Sequence, residues 1–347
     1  MIKKPPGNLL IEEITEGTKF DDFVRLWVDV FGDEPTFVKS LFEKWGFFKA
    51  KNSNSPESKI REFVISAPKE NFSGNADNEV VSELTLLECG TLDDINVYVN
   101  YAICSDHDFR GLGYGGALTS HAAQIAESEN AISILSPAEP SLINFYKSLG
   151  YVPYFYAEDI ILEVYDSSQY LEIDDSPKCC EFDDSEKHLD IGQSLTVKLT
   201  EIDTSTYSDY RENFLAEIPH IRVNDEILNF ASHESSFSIG AFLVNDGDAI
   251  CLIADDDREQ MYISELIVNP KLSALSSEID EQIARLIGEF FDAKKIRYRK
   301  PCPVDKDGYC QSMVYVRGNV FRNFQGKGRV NSSEQSCIKP YFGFPMD

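Results

Sequence analysis

The chain has 347 residues, with 59 Asp and Glu against 32 Lys and Arg, a formal net charge of −27 at pH 7, and 42% apolar residues that include 23 Phe and 16 Tyr. That content supports packed cores and excludes a disordered chain, and the length suits two domains of ordinary size. The acidic balance argues against nucleic acid or an anionic membrane as a partner; it suits a cationic substrate, and equally plain acidic solubility.

The first seven residues, Met-Ile-Lys-Lys-Pro-Pro-Gly, contain no apolar signal core, and no run of about 18 apolar residues follows. A cytoplasmic protein that binds no membrane is the expectation. Eight cysteines, at 89, 104, 179, 180, 251, 302, 310 and 337, form no C-x-x-C pair, and the five histidines have no ligand spacing relative to them. Reduced thiols and no metal site are expected.

In chain order, residues 8–14 read as a short strand. Residues 20–31 form a helix with Phe20, Phe23, Trp27, Val30 and Phe31 on one face, ended by Gly32. A second helix over 35–48 carries Phe37, Leu41, Trp45 and Phe48. Residues 49–61 are a polar loop, 62–67 a strand, 71–78 a turn-rich hairpin loop and 79–89 its returning strand. Residues 95–104 alternate, with Val97, Val99 and Tyr101 on one side and Tyr98, Asn100 and Ala102 on the other. A helix over 114–128, a parallel strand over 132–135, a helix over 140–149 and a closing strand pair over 152–164 complete the first half.

Residues 166–190 hold nine acids and two lysines and read as a linker. Beyond about residue 194 come a helix over 206–218 and a hairpin over 237–254 turning at Asn245-Asp-Gly-Asp248. A strand over 260–268, an amphipathic helix over 277–293 and a strand over 296–299 follow. That order repeats the hairpin, strand, helix, strand of the first half.

The seven residues Arg110-Gly-Leu-Gly-Tyr-Gly-Gly116 stand where strand 95–104 hands over to helix 114–128, and four of them are glycine. Glycine permits positive φ and leaves no Cβ in the way of a bulky anion. The first helical amides point at that anion, with the positive end of the helix dipole behind them. Gly111, Gly113 and Gly116 match G-x-G-x-x-G, yet no nucleotide strand ending in Asp or Glu follows, and Gly-Lys-Ser/Thr is absent.

What the segment resembles is the acetyl-CoA loop of the GNAT N-acetyltransferases, R/Q-x-x-G-x-G/A, through Arg110, Gly113 and Gly115. The family's second motif, F-Y-x-x-x-G-F/Y, is matched by Phe145, Tyr146, Gly150 and Tyr151, and residues 101–110 resemble its strand-and-turn entry to the loop. The resemblance covers roughly residues 8–165. It implies an α/β (α+β) GNAT fold: a mixed, mostly antiparallel sheet flanked by helices. A GNAT domain over 1–165, an acidic linker over 166–193 and a degenerate GNAT-like or other α+β domain over 194–347 are expected. The second domain's loop, residues 269–277, has no glycine, so no coenzyme A is expected there.

The resemblance further implies direct acetyl transfer from acetyl-CoA, as co-substrate, to a primary amine of a small molecule or peptide. Cofactor contacts fall to Arg110, Gly111, Leu112, Gly113, Tyr114, Gly115 and Gly116 for the diphosphate, and to the backbone of Ile103, Cys104 and Ser105 for the thioester carbonyl. Tyr146 stands where the family's tyrosine protonates the leaving thiolate. Glu139 occupies the position at which the family often has Asn. Glu83, Glu88 and Tyr98 are the candidates for a general base. A non-catalytic acyl-CoA-binding protein, transfer of a larger acyl group and a homodimer all stay open.

Overall fold

The computed structural model describes residues 9–14, 19–45, 59–70, 76–164, 197–233, 239–256, 260–273, 278–326 and 339–343. The expected linker at 166–193 and most of the loop at 49–61 lie outside them. In chain order the elements are β1 (Ile11–Glu13), α1 (Phe20–Phe31), α2 (Pro35–Trp45), β2 (Ile60–Glu70), β3 (Ala76–Leu92), β4 (Ile95–Ser105), α3 (Tyr114–Ser128), β5 (Ile132–Leu135), α4 (Ile143–Leu149) and β6 (Tyr151–Glu163). Then follow β7 (Leu199–Ile202), α5 (Thr204–Phe214), β8 (Arg222–Val223), α6 (Asp225–His233), β9 (Gly240–Val244), β10 (Ala249–Asp256), β11 (Met261–Val268), α7 (Pro270–Ser273), α8 (Ile279–Phe290), β12 (Lys295–Pro301), β13 (Tyr309–Tyr315) and α9 (Val320–Gly326).

Two compact units emerge, and each draws on separate stretches of sequence. The first comprises Met1–Glu158, Leu215–Ser236 and Pro301–Asp347; the second comprises Asp159–Phe214 and Phe237–Lys300. The first unit's sheet runs β1-β2-β3-β4-β5-β13-β6, with β8 added on β3. All of these pairs are antiparallel except β4 with β5. The closing strand pair expected over 152–164 is a single strand, and its antiparallel neighbour is β13, placing Val314 opposite both Val152 and Ile134. No local signal near residue 152 announces a partner made about 160 positions later.

On one face of this sheet α3 buries Tyr114, Leu118, Ala122 and Ala126 against Phe63, Ile65, Leu84 and Tyr98. α1 packs on β3 and β4. Phe23, Trp27 and Phe42 are buried and meet at ring distances of 4.9 to 6.0 Å. α2 buries Val38, Leu41 and Phe42, with the expected Phe37 half-buried; Phe48 and the side chain of Trp45, also expected on this stripe, lie outside what the structure describes. α1 follows the expected face except at its end, where Phe31 is 45% exposed.

The segment 215–236 completes this unit. Asn224 donates from its backbone to Cys89 O (2.9 Å) and from Nδ2 to Glu88 O (2.7 Å), while its Oδ1 caps α6 by accepting from Ile227 N (3.0 Å). Val223 and Arg222 pair with Gly90 and Thr91 of β3. Phe230 of α6 reaches Phe42 (6.3 Å) and Tyr101 (6.1 Å).

The second unit has its own sheet, β12-β11-β10-β9-β7, with β11 and β12 parallel. Ile283, Ala284 and Ile287 of α8 cover it, packed with Ile253, Ile263 and Ile296. The helix expected over 206–218 spans Thr204–Phe214.

Gly90 is the tightest point of the docking of β8. Its φ is +156°, and a Cβ there would overlap the carbonyl oxygen of Arg222 and stand 2.8 Å from the carbonyl carbon. Gly90→Ala is expected to push β8 off β3, at a cost of about 1–3 kcal/mol, read by denaturant unfolding; an unchanged midpoint contradicts the pairing.

Candidate active site

The site begins at the end of β4. Its parallel ladder with β5 runs from Val97–Ile132 to Asn100–Leu135 and then stops, because β5 ends at Leu135 while β4 continues to Ser105. Beyond Asn100 the ladder with β3 continues to Ser105 after the one with β5 has ended. Opposite, the register jumps from Thr85–Tyr101 to Glu83–Cys104, so Ala102 and Ile103 together face Leu84. This is a bulge, with Ala102 at φ +49°. It turns the strand end: Ile103 packs toward α3, while Cys104 points to the other face beside Glu83. Ser82 holds the bend by donating to Cys104 O (2.7 Å) and sharing a hydrogen bond with Ser105 Oγ (2.8 Å).

The glycine loop lies directly after this end. Asp106 accepts from Asp108 N (3.0 Å) and opens a short turn over His107–Phe109. Gly111 and Gly113 take φ +76° and +91°, and Gly113 stands at the cap of α3. The first helical hydrogen bond runs from Ala117 N to Gly113 O (3.0 Å), which leaves the amides of Gly113, Tyr114, Gly115 and Gly116 ahead of the ladder. Tyr114 and Leu112 face the core. A Cβ on Gly115 would stand 3.7 Å from Ile103 Cγ2 and 3.9 Å from Ser105 Oγ, so this glycine keeps open the gap between α3 and the end of β4. The exposed Arg110 turns back, donating from Nε to Ser105 O (3.3 Å), and thereby ties the loop to the strand end.

Tyr146 of α4 is 7% exposed and shares a cluster with Leu135, Tyr151 and Met313, to which Ile103 also packs. Burial pushes its phenol up to about 12, so it stays protonated at neutral pH and able to donate. Glu139 is exposed and accepts from Ser141 (3.0 Å).

The three candidates for a general base separate cleanly. Tyr98 lies on the α3 face with its hydroxyl donated to Glu129 (2.6 Å), and Glu88 pairs with Lys59 (3.6 Å). Glu83 alone is next to the strand end. Its side chain is fully buried, Oε1 accepts from Cys104 Sγ (3.4 Å), and Oε2 has no partner among the described residues. Desolvation holds this carboxyl well above the usual range, against smaller opposite effects of Cys104 and Arg25. Burial, then the Glu83 carboxyl, push the Cys104 thiol upward as well. The sequence carries one signal of this: an acid inside the apolar run Val80-Val-Ser-Glu-Leu84.

The second unit departs from this pattern. At the start of α8 stands an acid of the chain, Asp280, held by Lys300 and by the Tyr298 hydroxyl (3.3 Å). Glu265 of β11 is buried with Arg211 (3.1 Å) and the Tyr207 hydroxyl upon it. Among the described residues, no group of His, Cys, Asp and Glu is arranged to hold a metal ion, and no helix is long and apolar enough to cross a membrane.

Residues 37–151 match the model of the Acetyltransferase (GNAT) family. No curated protein matches the chain in sequence. Among solved structures it is similar to a probable N-acyltransferase from Enterococcus faecalis V583, at 11% identity and TM-score 0.58 over 90% of this chain and 74% of that one. It is also similar to GCN5-related N-acetyltransferases from Kribbella flavida (12% identity, TM-score 0.53, 88% and 70% covered) and Anabaena variabilis (12%, 0.53, 88% and 71%). At these identities the likeness is one of fold. Residues 37–151 thus carry the match to the GNAT family, in a chain whose mixed, mostly antiparallel fold is similar to that of GNAT proteins along most of its length.

Proposed function

We propose that the chain is an N-acetyltransferase that moves an acetyl group from acetyl-CoA directly to a primary amine. The observation that carries this reading is the end of β4 beyond its ladder with β5, beside the open first turn of α3, with glycine where a side chain would close the gap. The amides of Gly111 to Gly116 hold the diphosphate, backed by the helix dipole. The unladdered backbone at Ile103, Cys104 and Ser105 meets the thioester and polarises its carbonyl. Tyr146 donates its phenolic proton to the departing thiolate.

In this reading catalysis belongs to residues 1–165, as the first of two domains. The second, from about residue 194, binds no coenzyme A, since Asp280 supplies the negative charge at the start of α8. The acceptor is a small-molecule or peptide amine, attracted by the acidic chain. Nucleic acid and membrane play no part, and the cytoplasm is the proposed location.

Acetyl-CoA at 100 times its dissociation constant should stabilise the protein by about 2.7 kcal/mol, measured by thermal shift. Gly115→Leu should remove that shift while leaving the ligand-free melting temperature within a few degrees; a preserved shift overturns the assignment of the gap.

Tyr146→Phe should bind acetyl-CoA as the parent does and release coenzyme A thiol from an amine panel about 10- to 100-fold more slowly. An undiminished rate removes Tyr146 from the chemistry. A parent protein that binds acetyl-CoA and releases no thiol with any amine is a binding protein rather than an enzyme.

A further inference from the structure

We propose that Glu83 and Cys104 form a proton relay on the acceptor side of β4, in which the Cys104 thiol touches the incoming amine and Glu83 acts through it. The proposal rests on the acetyl-transfer reading and adds the route by which the amine loses its proton.

Glu83 and Cys104 are register partners on β3 and β4, and the bulge at Ala102 and Ile103 turns the thiol toward the acid. Cys104 is 6% exposed and Glu83 is 0% exposed, so an amine at the strand end meets the sulfur and not the carboxylate. The hydrogen bond of 3.4 Å from Sγ to Oε1 joins them. A second, independent observation lies deeper. Glu83 Oε2 and Thr85 Oγ1, two residues apart on one strand face, are both buried and both lack a partner among the described residues. An acid left half-satisfied is costly. A proton arriving on Oε2, or one water bridging the two atoms, would satisfy both.

The thiol is a poor nucleophile here, because burial and the neighbouring acid hold it protonated. An acyl-cysteine step is thereby disfavoured, and what remains for Cys104 is to pass a proton. As the amine nitrogen bonds to the acyl carbon, the nitrogen gives its proton to Sγ while the Sγ proton moves to Glu83. The carbon–sulfur bond of the thioester breaks, and the departing thiolate takes the proton of Tyr146. Cys104 ends as it began, Glu83 ends protonated, and Tyr146 recovers its proton from solvent. The charged and titratable groups around the pair are Arg25 from α1, Glu62 of β2 in register with Thr85, and Asp106 and Arg110 after β4. Arg25 is already engaged by Glu79 (3.2 Å) and Asp29 (3.4 Å), so it leaves Glu83 free to accept.

The test compares the parent with Glu83→Gln, Cys104→Ala and Cys104→Ser. Acetyl-CoA binding by calorimetry should stay within about twofold in all three. With an amine panel, Glu83→Gln and Cys104→Ala should each lower kcat/KM about 100-fold and lose the acidic limb of its pH profile. Cys104→Ser, whose hydroxyl also relays, should recover most of the rate. In the infrared, the S–H stretch of Cys104 should shift to higher frequency in Glu83→Gln, because the amide oxygen is a weaker acceptor than the carboxylate. Folding is checked by melting. The raised carboxyl costs stability as pH climbs above its unfolded value of 4.5, so Glu83→Gln should melt at or above the parent at pH 8 and match it near pH 4. Parent-like rates and pH profiles in Glu83→Gln and Cys104→Ala, with acetyl-CoA bound, overturn the relay alone. A parent that transfers no acetyl group overturns the transferase reading and the relay with it.

Discussion

The arrangement depends on an interrupted ladder. β4 is laddered to both β3 and β5 from Val97 to Asn100, and the ladder with β5 ends there. A backbone in the middle of a sheet with open hydrogen-bonding groups is costly unless something else meets them. Everything nearby maintains the interruption: the bulge at Ala102 turns the strand, Ser82 pins the Cys104 carbonyl, and Arg110 ties the loop to Ser105. α3 then starts where a ligand lying along β4 would end. In the proposed reading, phosphate recognition and carbonyl polarisation are two uses of one gap, made by backbone rather than by charged side chains.

Glu83 shows how a packed core carries a strained group. Phe23, Trp27 and Phe42 are almost wholly buried on α1 and α2. Each contributes roughly 1.5–3 kcal/mol by leaving water, which outweighs one unpaired carboxyl oxygen at about 1–3 kcal/mol. The second unit handles a buried acid differently. Glu265 is given a guanidinium and a phenol as partners. One sheet keeps a carboxyl poised, and the other neutralises its own.

Much of this was legible in the residues. The helices at Phe20–Phe31 and Tyr114–Ser128 and the strand at Ile132–Leu135 have the expected bounds, because local periodicity and glycine stops dictate them. The loop was legible because glycines at Gly111 and Gly113 answer a backbone demand that other residues meet poorly. The αL conformation of Ala102 was not, since alanine gives no hint of it. Nor were β8, α6 and β13 expected. Their places are set by pairing with Gly90 and with Val152, contacts between residues far apart in sequence. Tyr98 and Glu88 looked equivalent to Glu83 as carriers of a proton until strand face and partners separated them.

The insertion of β13 between β5 and β6 makes the first unit a late achievement of synthesis. On the ribosome, residues 132–135 and 151–158 leave the exit tunnel long before residues 309–315, and until those follow, two strand edges stand bare. A nascent chain in that state is open to wrong partners, its own later strands among them. The gap between β4 and α3, although written almost entirely in residues 101–116, therefore gains its finished framework only near the end of translation. Severing the chain between its halves would yield a fragment holding the right motif on an incomplete sheet.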